Sequence, residues 1–350
     1  MEPQIQYAKT KDGASIAFWS TGSGPALIHL PWLPWSHAQL EWRNAEVRSW
    51  LQGLADFSRT VRYDPRGTGL SDRAAGAFDI ESQIRDLEAV VTRLRLSRFA
   101  LLGVYHSGPA AITFAARHPE AVSALVLWCT YARGRDYYAS QRVQSILALL
   151  DDWELYTETG AHAFVGWSAG DIAHDMAVIM RESVAPSVAR ACFETMSGVD
   201  CSPLLPTIRV PTLVIHPRRF PLFDQTLTQQ IAAAIPDARF VLTEGESLAP
   251  MRTDLPQVVD AIRDIVLANS LHSVDAEAPP LGLSDREIEV LRQLSAGKSN
   301  QEVAEYFVLS RRTVERHVLN IYAKINVNNR SQATAFALRY GFADNPDTNK

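Results

Sequence analysis

The sequence predicts an α/β protein in two parts: a doubly wound sheet with a helical cap, then a small all-α domain of four helices. Three observations predict it. Strand-like and helix-like segments alternate through the first 268 residues, about residues 131–206 carry helical segments with no clear strand, and the end of the chain holds short amphipathic helices with capping signals. A length of 350 residues exceeds one ordinary core, and 47% hydrophobic with 21% charged residues is a globular balance.

The elements follow in order. Ile5–Lys9 and Ser15–Trp19 alternate and meet at Asp12-Gly13, which reads as a hairpin. Ala26–Leu30 and Thr60–Asp64 are compact apolar runs, as parallel strands buried on both faces require. From Ile80 to Arg95 the apolar positions Ile80, Ile84, Leu87, Val90, Val91 and Leu94 keep a helical period. Phe99–Gly103 and Ala121–Trp128 are strands on either side of a second helix. Val210–His216 and Phe240–Thr243 complete the sheet, with helices at about 224–235 and 254–269. Residues 269–281 are polar, acidic and proline-containing, a linker between a domain at 1–268 and one at 282–345.

The net charge of −5 exerts no global pull toward nucleic acid, but nine Lys/Arg against six Asp/Glu between Gly282 and Gly341 set a mildly basic tail on an acidic body. Cys129, Cys192 and Cys201 are odd in number and lack metal-ligand spacing, so they read as structural thiols of a reducing compartment. No Walker A run and no phospho-acceptor receiver domain are present, and no cofactor is expected. The start Met1-Glu-Pro-Gln-Ile-Gln is not a signal peptide, and no apolar run approaches the ~20 residues that span a bilayer. A cytoplasmic protein with no membrane partner is the expectation.

The run Phe99-Ala-Leu-Leu-Gly-Val-Tyr-His-Ser-Gly108 reads as strand, tight turn and helix start. With Arg62-Tyr-Asp-Pro-Arg-Gly-Thr-Gly-Leu-Ser-Asp72 and Pro211-Thr-Leu-Val-Ile-His216, it resembles the α/β-hydrolase fold over residues 1 to about 268. The resemblance implies a Ser–acid–His triad, and each position is occupied by something else. The G-x-S-x-G frame sets Tyr105 on the nucleophile and Ser107 on the closing glycine, Phe220 stands at the acid, and Leu248 at the base. Attack by a serine needs a base for its proton and a carboxylate to orient that base, and these three side chains supply neither. Asp224 as a shifted acid, Ser107 beside His106, and Tyr105 itself are the rescue readings. A phenol near its usual pKa of ~10 is protonated at neutral pH. The chain is therefore expected not to be an enzyme.

A hydrolase pocket without its chemistry suits a small apolar or aromatic ligand. By motif, Trp32, Trp35 and His37 fall at its mouth, Tyr105 and His106 at its floor, and Phe220 and Leu248 at one side. The cap offers Tyr131, Trp153, Tyr156 and Trp167, with Phe164 and Met180, as lid residues.

At the end of the chain, Ser284 with Glu287 and Ser299 with Glu302 are two capping boxes, Gly297 a helix stop, and Ser310 the cap of a third helix running to about Ile325. A fourth helix is expected at Ser331–Tyr340 after a turn at Asn326–Arg330. Leu283-Ser-Asp-Arg-Glu-Ile-Glu-Val-Leu291, Ser299-Asn-Gln-Glu-Val-Ala304, Ser310-Arg-Arg-Thr-Val-Glu-Arg-His-Val318 and Asn329-Arg-Ser-Gln-Ala333 resemble the LuxR/FixJ/NarL-type helix-turn-helix domain. That resemblance implies Glu315, Arg316 and Leu319 as base readers, and Lys298, Arg311, Arg312, Thr313, His317, Asn320 and Lys324 as phosphate contacts. It also implies a homodimer on a near-palindromic promoter site and RNA polymerase as a partner. Ala335 and Leu338 of the fourth helix are one candidate dimer surface. The expected function is a ligand-responsive transcriptional regulator. The alternatives are an active hydrolase fused to a DNA-binding domain, and a constitutive regulator whose first domain only dimerises.

Overall fold

Gly13 turns the chain at φ +93°, where a side chain would be strained, and so joins strand β1 (Gln6–Lys9) to β2 (Ser15–Thr21) in an antiparallel hairpin. The computed structural model describes residues 2–74, 78–167, 169–247, 254–270, 283–307, 309–325 and 327–339. Six further strands follow: β3 (Ala26–His29), β4 (Arg59–Tyr63), β5 (Phe99–Val104), β6 (Val122–Trp128), β7 (Thr212–Pro217) and β8 (Arg239–Thr243). They form one eight-stranded sheet in the order β1-β2-β4-β3-β5-β6-β7-β8. β2 meets β4 antiparallel, and every pairing from β4 to β8 is parallel.

Every residue of β3, β5, β6 and β7 is buried, because helices cover both faces. On one face the helices Ala45–Ala55 and Leu255–Ser270 pack Trp50, Leu51, Val258 and Ile262 onto the sheet. On the other, Ile80–Leu94 and Gly108–Arg117 contribute Ile84, Leu87, Val90 and Ile112. The Ile80 helix starts where Asp79 accepts the Ser82 N–H and stops at Arg95 in the left-handed region, so the periodicity located it to within a residue.

Between β6 and β7 the predicted cap is present as five helices, Gly134–Tyr138, Gln141–Leu147, Trp153–Val165, Gly170–Ser183 and Pro186–Ser197, closed by a 3₁₀ turn at Ser202–Thr207. The last helix of the domain runs to Ser270, two residues into the expected linker; residues 271–282 lie outside the described ones.

The chain divides into two compact units, Met1–Leu271 and His272–Lys350. In the second, helices span Asp285–Ser295, Asn300–Phe307, Arg311–Lys324 and Arg330–Arg339. Both capping boxes form: Glu287 accepts the Ser284 N–H at 2.7 Å, and Glu302 accepts the Ser299 N–H at 2.7 Å. Gly297, at φ +88°, ends the first helix as the Lys298 N–H reaches back to the Gln293 carbonyl at 3.2 Å. Ile288, Leu291, Leu294, Val303, Val314, Val318 and Ile321 form one core, as the helical spacing predicts. Asn326 lies outside the described residues, as do the side chains of Ala335 and Leu338.

Candidate functional site

β5 delivers the chain to a 3₁₀ turn, Tyr105–Ser107, and then to the helix Gly108–Arg117. Tyr105 sits on that turn at φ +54°, a left-handed conformation that costs a non-glycine residue roughly 1 kcal/mol or more. Its neighbours hold it there. The Thr130 hydroxyl donates to the Tyr105 carbonyl at 2.6 Å. A side chain at Gly103 would run into Ala111, and one at Gly108 into Thr130. The close-packing glycine is thus Gly108, one residue beyond the position that the motif frame assigns to Ser107. Ser107 turns back to the strand, donating to the Val104 carbonyl at 2.8 Å and accepting the Val104 N–H at 3.0 Å. His106 places Nδ1 2.7 Å from the Tyr131 hydroxyl, so Ser107 and His106 do not form a nucleophile–base pair.

Tyr105 is 2% exposed and stands in a cage of rings. Its ring centroid is 5.2 Å from Tyr137, 5.3 Å from Phe164, 6.1 Å from Phe223 and 3.9 Å from His106. Trp35 packs edge-on to Phe164 at 5.3 Å and against Phe193 at 5.6 Å, and its buried indole N–H has no hydrogen-bond partner among the described residues. Trp35, Tyr105, His106, Tyr156 and Phe164 all line this cage, whose free space is about 20 Å³. The walls are mostly apolar, and the one ring among them that could carry a positive charge, His106, is pushed by burial down to about 3 and so held neutral.

Of the other expected pocket residues, Tyr131 is fully buried behind the cage, stacked on Tyr137 at 5.2 Å, and Trp153 backs Tyr156 at 5.4 Å. Phe220 is buried with its centroid 6.4 Å from Phe164, at the rim of the cage. Three expectations are corrected. Trp32 points away, under the Arg62 guanidinium at 5.3 Å, because the buried Arg62–Glu41 pair claims its face. His37 caps the helix Ala38–Arg43, its Nδ1 accepting the Leu40 N–H at 3.4 Å. Trp167 is 69% exposed beside His162, past the end of its helix, and is not among the residues that line the cage. Leu248 lies outside the described residues. Asp224 is an exposed N-cap that accepts the Thr226 N–H at 2.9 Å. The sequence reading missed Tyr137, Tyr138 and Phe193 of the cap and Leu222 and Phe223 after β7, which no motif marks; only the aromatic density of the cap pointed near the first three.

The Arg62-Tyr-Asp-Pro-Arg66 motif is a strut rather than a reactive site. Arg62 donates to both Glu41 oxygens at 2.7 and 2.8 Å and to the Leu30 carbonyl at 2.6 Å. Asp64 accepts from the Ser36 hydroxyl and the Ala38 and Leu70 N–H groups at 2.8–2.9 Å, which ties down the loop that carries Trp35. Its carboxyl is raised to about 6, by burial first and by Glu41 second.

Burial also pushes His216, whose Nδ1 lies 3.1 Å from the Thr228 hydroxyl, down to about 4. An unfolded histidine protonates near ~6.5, so below that pH the unfolded chain binds the extra proton. The stability held by neutral His216 is complete above pH ~6.5 and is lost as the pH falls through the window to about 4, at up to roughly 1.4 kcal/mol per pH unit. Thermal melts at pH 7.5 and 5 are expected to show a smaller Tm drop for His216→Asn than for the wild type; equal drops would refute this assignment.

In the second unit the helix Arg311–Lys324 presents Arg312, Arg316, Leu319 and Asn320 to solvent, Leu319 at 68% exposure. Thr313 and His317 are half-buried. Several expected contacts are engaged within the unit. Arg311 pairs with Glu315 at 2.9 Å, Lys324 with Glu287 at 2.7 Å, and Lys298 lies over Tyr306 at 4.3 Å while donating to Gln293 at 2.6 Å. Arg316 and Arg312 hold no carboxylate among the described residues. Among the described residues no group of three or more His, Cys, Asp or Glu has metal-binding geometry, and no helix is long and apolar enough to cross a membrane.

Comparisons with known proteins match a segment in each of the two units. Residues 25–174 match the alpha/beta hydrolase fold, and residues 281–337 match bacterial regulatory proteins of the luxR family. The transcriptional regulatory protein LiaR of Bacillus subtilis is 32% identical over 108 residues, 31% of this chain and 47% of that protein. The chain thus spans less than half of that regulator's length. The AB hydrolase superfamily protein YisY of the same organism is 26% identical over 223 residues, 61% of this chain and 81% of that protein. An esterase of a Rhodococcus species superposes with a TM-score of 0.66 at 22% identity, covering 77% of this chain and all of the esterase, a likeness of fold. The chain joins a domain of the α/β-hydrolase fold to a C-terminal domain of the luxR family of bacterial regulatory proteins.

Proposed function

We propose that the protein is a ligand-responsive, DNA-binding transcriptional regulator. Its hydrolase-fold domain binds a small apolar or aromatic molecule without turning it over, and that binding sets the activity of a luxR-type domain acting as a homodimer on a near-palindromic site. RNA polymerase is the expected partner at the promoter. One observation carries the reading: the elbow keeps its strained backbone at φ +54° but aims Tyr105 into a closed aromatic cage, in a chain that also holds a luxR-family domain. Strain of this kind persists where the surrounding structure uses it. Tyr105 at the nucleophile position and Phe220 at the acid position support binding without hydrolysis.

Activated esters such as p-nitrophenyl acetate test the enzymatic alternative. The wild type and Tyr105→Ser are both expected to show background hydrolysis, because a restored serine still lacks the acid and base of the triad. Wild-type turnover that Tyr105→Phe abolishes would defeat the reading.

The free space of about 20 Å³ favours a second reading, in which the rings fill the pocket permanently and the domain serves assembly alone. Native mass spectrometry of freshly purified protein, and a Tm that rises with added ligand, separate the two.

A further inference from the structure

The cage by itself has room for one water and for no ligand. Beside it lies an open cleft of about 550 Å³, bounded by residues 220–225 and by Ser140–Arg142 at the start of a cap helix. That volume is within the range of ligand pockets, roughly 300–1,000 Å³. One buried side chain, Leu222, belongs to the walls of both spaces.

The two spaces differ in chemistry. The cage is lined mostly by rings, with Val143, Ile146, Leu147 and Leu222 filling the rest. The cleft exposes Arg142, which donates to the Pro221 carbonyl at 2.7 Å and pairs with no carboxylate among the described residues. Asp224, also in the cleft, accepts the Thr226 N–H on one oxygen and forms no ion pair with Arg142. The remaining donors of the guanidinium are open to the cleft, and they suit an anion.

We propose that cage and cleft are two halves of one binding site parted by Leu222, and that the site takes an amphipathic small molecule with a flat apolar ring system and an anionic end. The inference rests on the reading that the cage binds a ligand, and names its class and its way in. The ring system displaces Leu222 and stacks among Tyr105, Phe164 and Phe193; the anion stays in the cleft on Arg142. An anion that draws Arg142 away from Pro221 also loosens the segment that carries Leu222, so the two ends of the ligand act together.

Two dyes of matched ring size test this on the full chain: 1-anilinonaphthalene-8-sulfonate, which carries an anion, and N-phenyl-1-naphthylamine, which does not. Titrations follow dye emission and tryptophan quenching, with circular dichroism as the check on folding. Leu222→Ala removes the partition and is expected to tighten both dyes by about tenfold, as the cost of opening disappears. Leu222→Trp is expected to weaken both by a similar factor; opposite shifts at one position are not a signature of misfolding. Exposed Arg142→Ala should weaken the sulfonate dye by about three- to tenfold and leave the uncharged dye unchanged. If Phe164→Trp blocks both dyes while the Leu222 and Arg142 variants bind as wild type does, the cage takes ligands by another route and this proposal falls while the ligand-binding reading stands. Indifference to Phe164→Trp as well, or no saturable binding in the wild type and Leu222→Ala, overturns both.

Discussion

A Glu41→Ala variant is expected to lose about 3–5 kcal/mol of stability in the hydrolase-fold domain, the usual cost of stranding one member of a buried ion pair. Arg62 and Glu41 are 0% and 1% exposed, and they meet at 2.7 Å. Without Glu41 the guanidinium keeps the Leu30 and His29 carbonyls, at 2.6 and 3.4 Å, and the face of Trp32 at 5.3 Å, but no carboxylate pairs with it among the described residues. The effect reaches the cage, because the same strut fixes Ser36 and Ala38 beside Trp35. Replacing both partners with apolar residues is expected to cost much less, since no charge is then left buried. Urea denaturation followed by tryptophan emission reads the first domain, as all eight tryptophans lie before residue 168. A transition for Glu41→Ala within about 1 kcal/mol of the wild type would remove the strut from the account.

The second large effect concerns DNA. Arg316→Ala is expected to lose roughly 1–3 kcal/mol of preference for the specific site, the worth of an arginine read against a base edge. Arg312→Ala is expected to weaken specific and random DNA alike and to reduce the salt slope by about one. Arg312 is a cleaner probe of phosphate contact than Lys324, whose ammonium group is held by Glu287 at 2.7 Å inside the domain. Titrations over a range of salt, on a selected site and on random duplex, measure both quantities. Parallel losses on both DNAs for Arg316→Ala would take it off the base edges.

The two domains differ in how much the sequence discloses. In the C-terminal domain, caps and core come from neighbours three or four residues apart: Ser284 with Glu287, Ser299 with Glu302, and Val314 with Val318 and Ile321. Local spacing is visible in one dimension, so those assignments match the structure. The strands of the first domain were legible for a similar reason, since apolar runs and helical periods alternate along the chain. The pocket was not. Trp32, Trp35 and His37 sit within six residues, yet only Trp35 reaches the cage. Which of the three turns inward is decided by Arg62 and by the helix that His37 caps, contacts that spacing does not encode.

Ser107 teaches the same lesson at smaller scale. The motif frame made it the closing glycine, but the packing demand falls on Gly108 against Thr130, and the Ser107 hydroxyl is taken up by the end of β5. The aromatics Tyr137 and Phe193 of the cap and Phe223 after β7 come from three segments with no periodic relation, and only the folded domain brings them together around Tyr105.

The sequence by itself determined that this chain has two domains, that the first follows the hydrolase fold with Tyr105 at its elbow, and that the second carries a helix-turn-helix, because each rests on local pattern or on a short motif. Tertiary structure alone decided that the pocket is a ring-lined cage of about 20 Å³ parted from a 550 Å³ cleft by Leu222. The physical reason is that a cavity is defined by side chains from distant segments, and its size by how closely their rings pack.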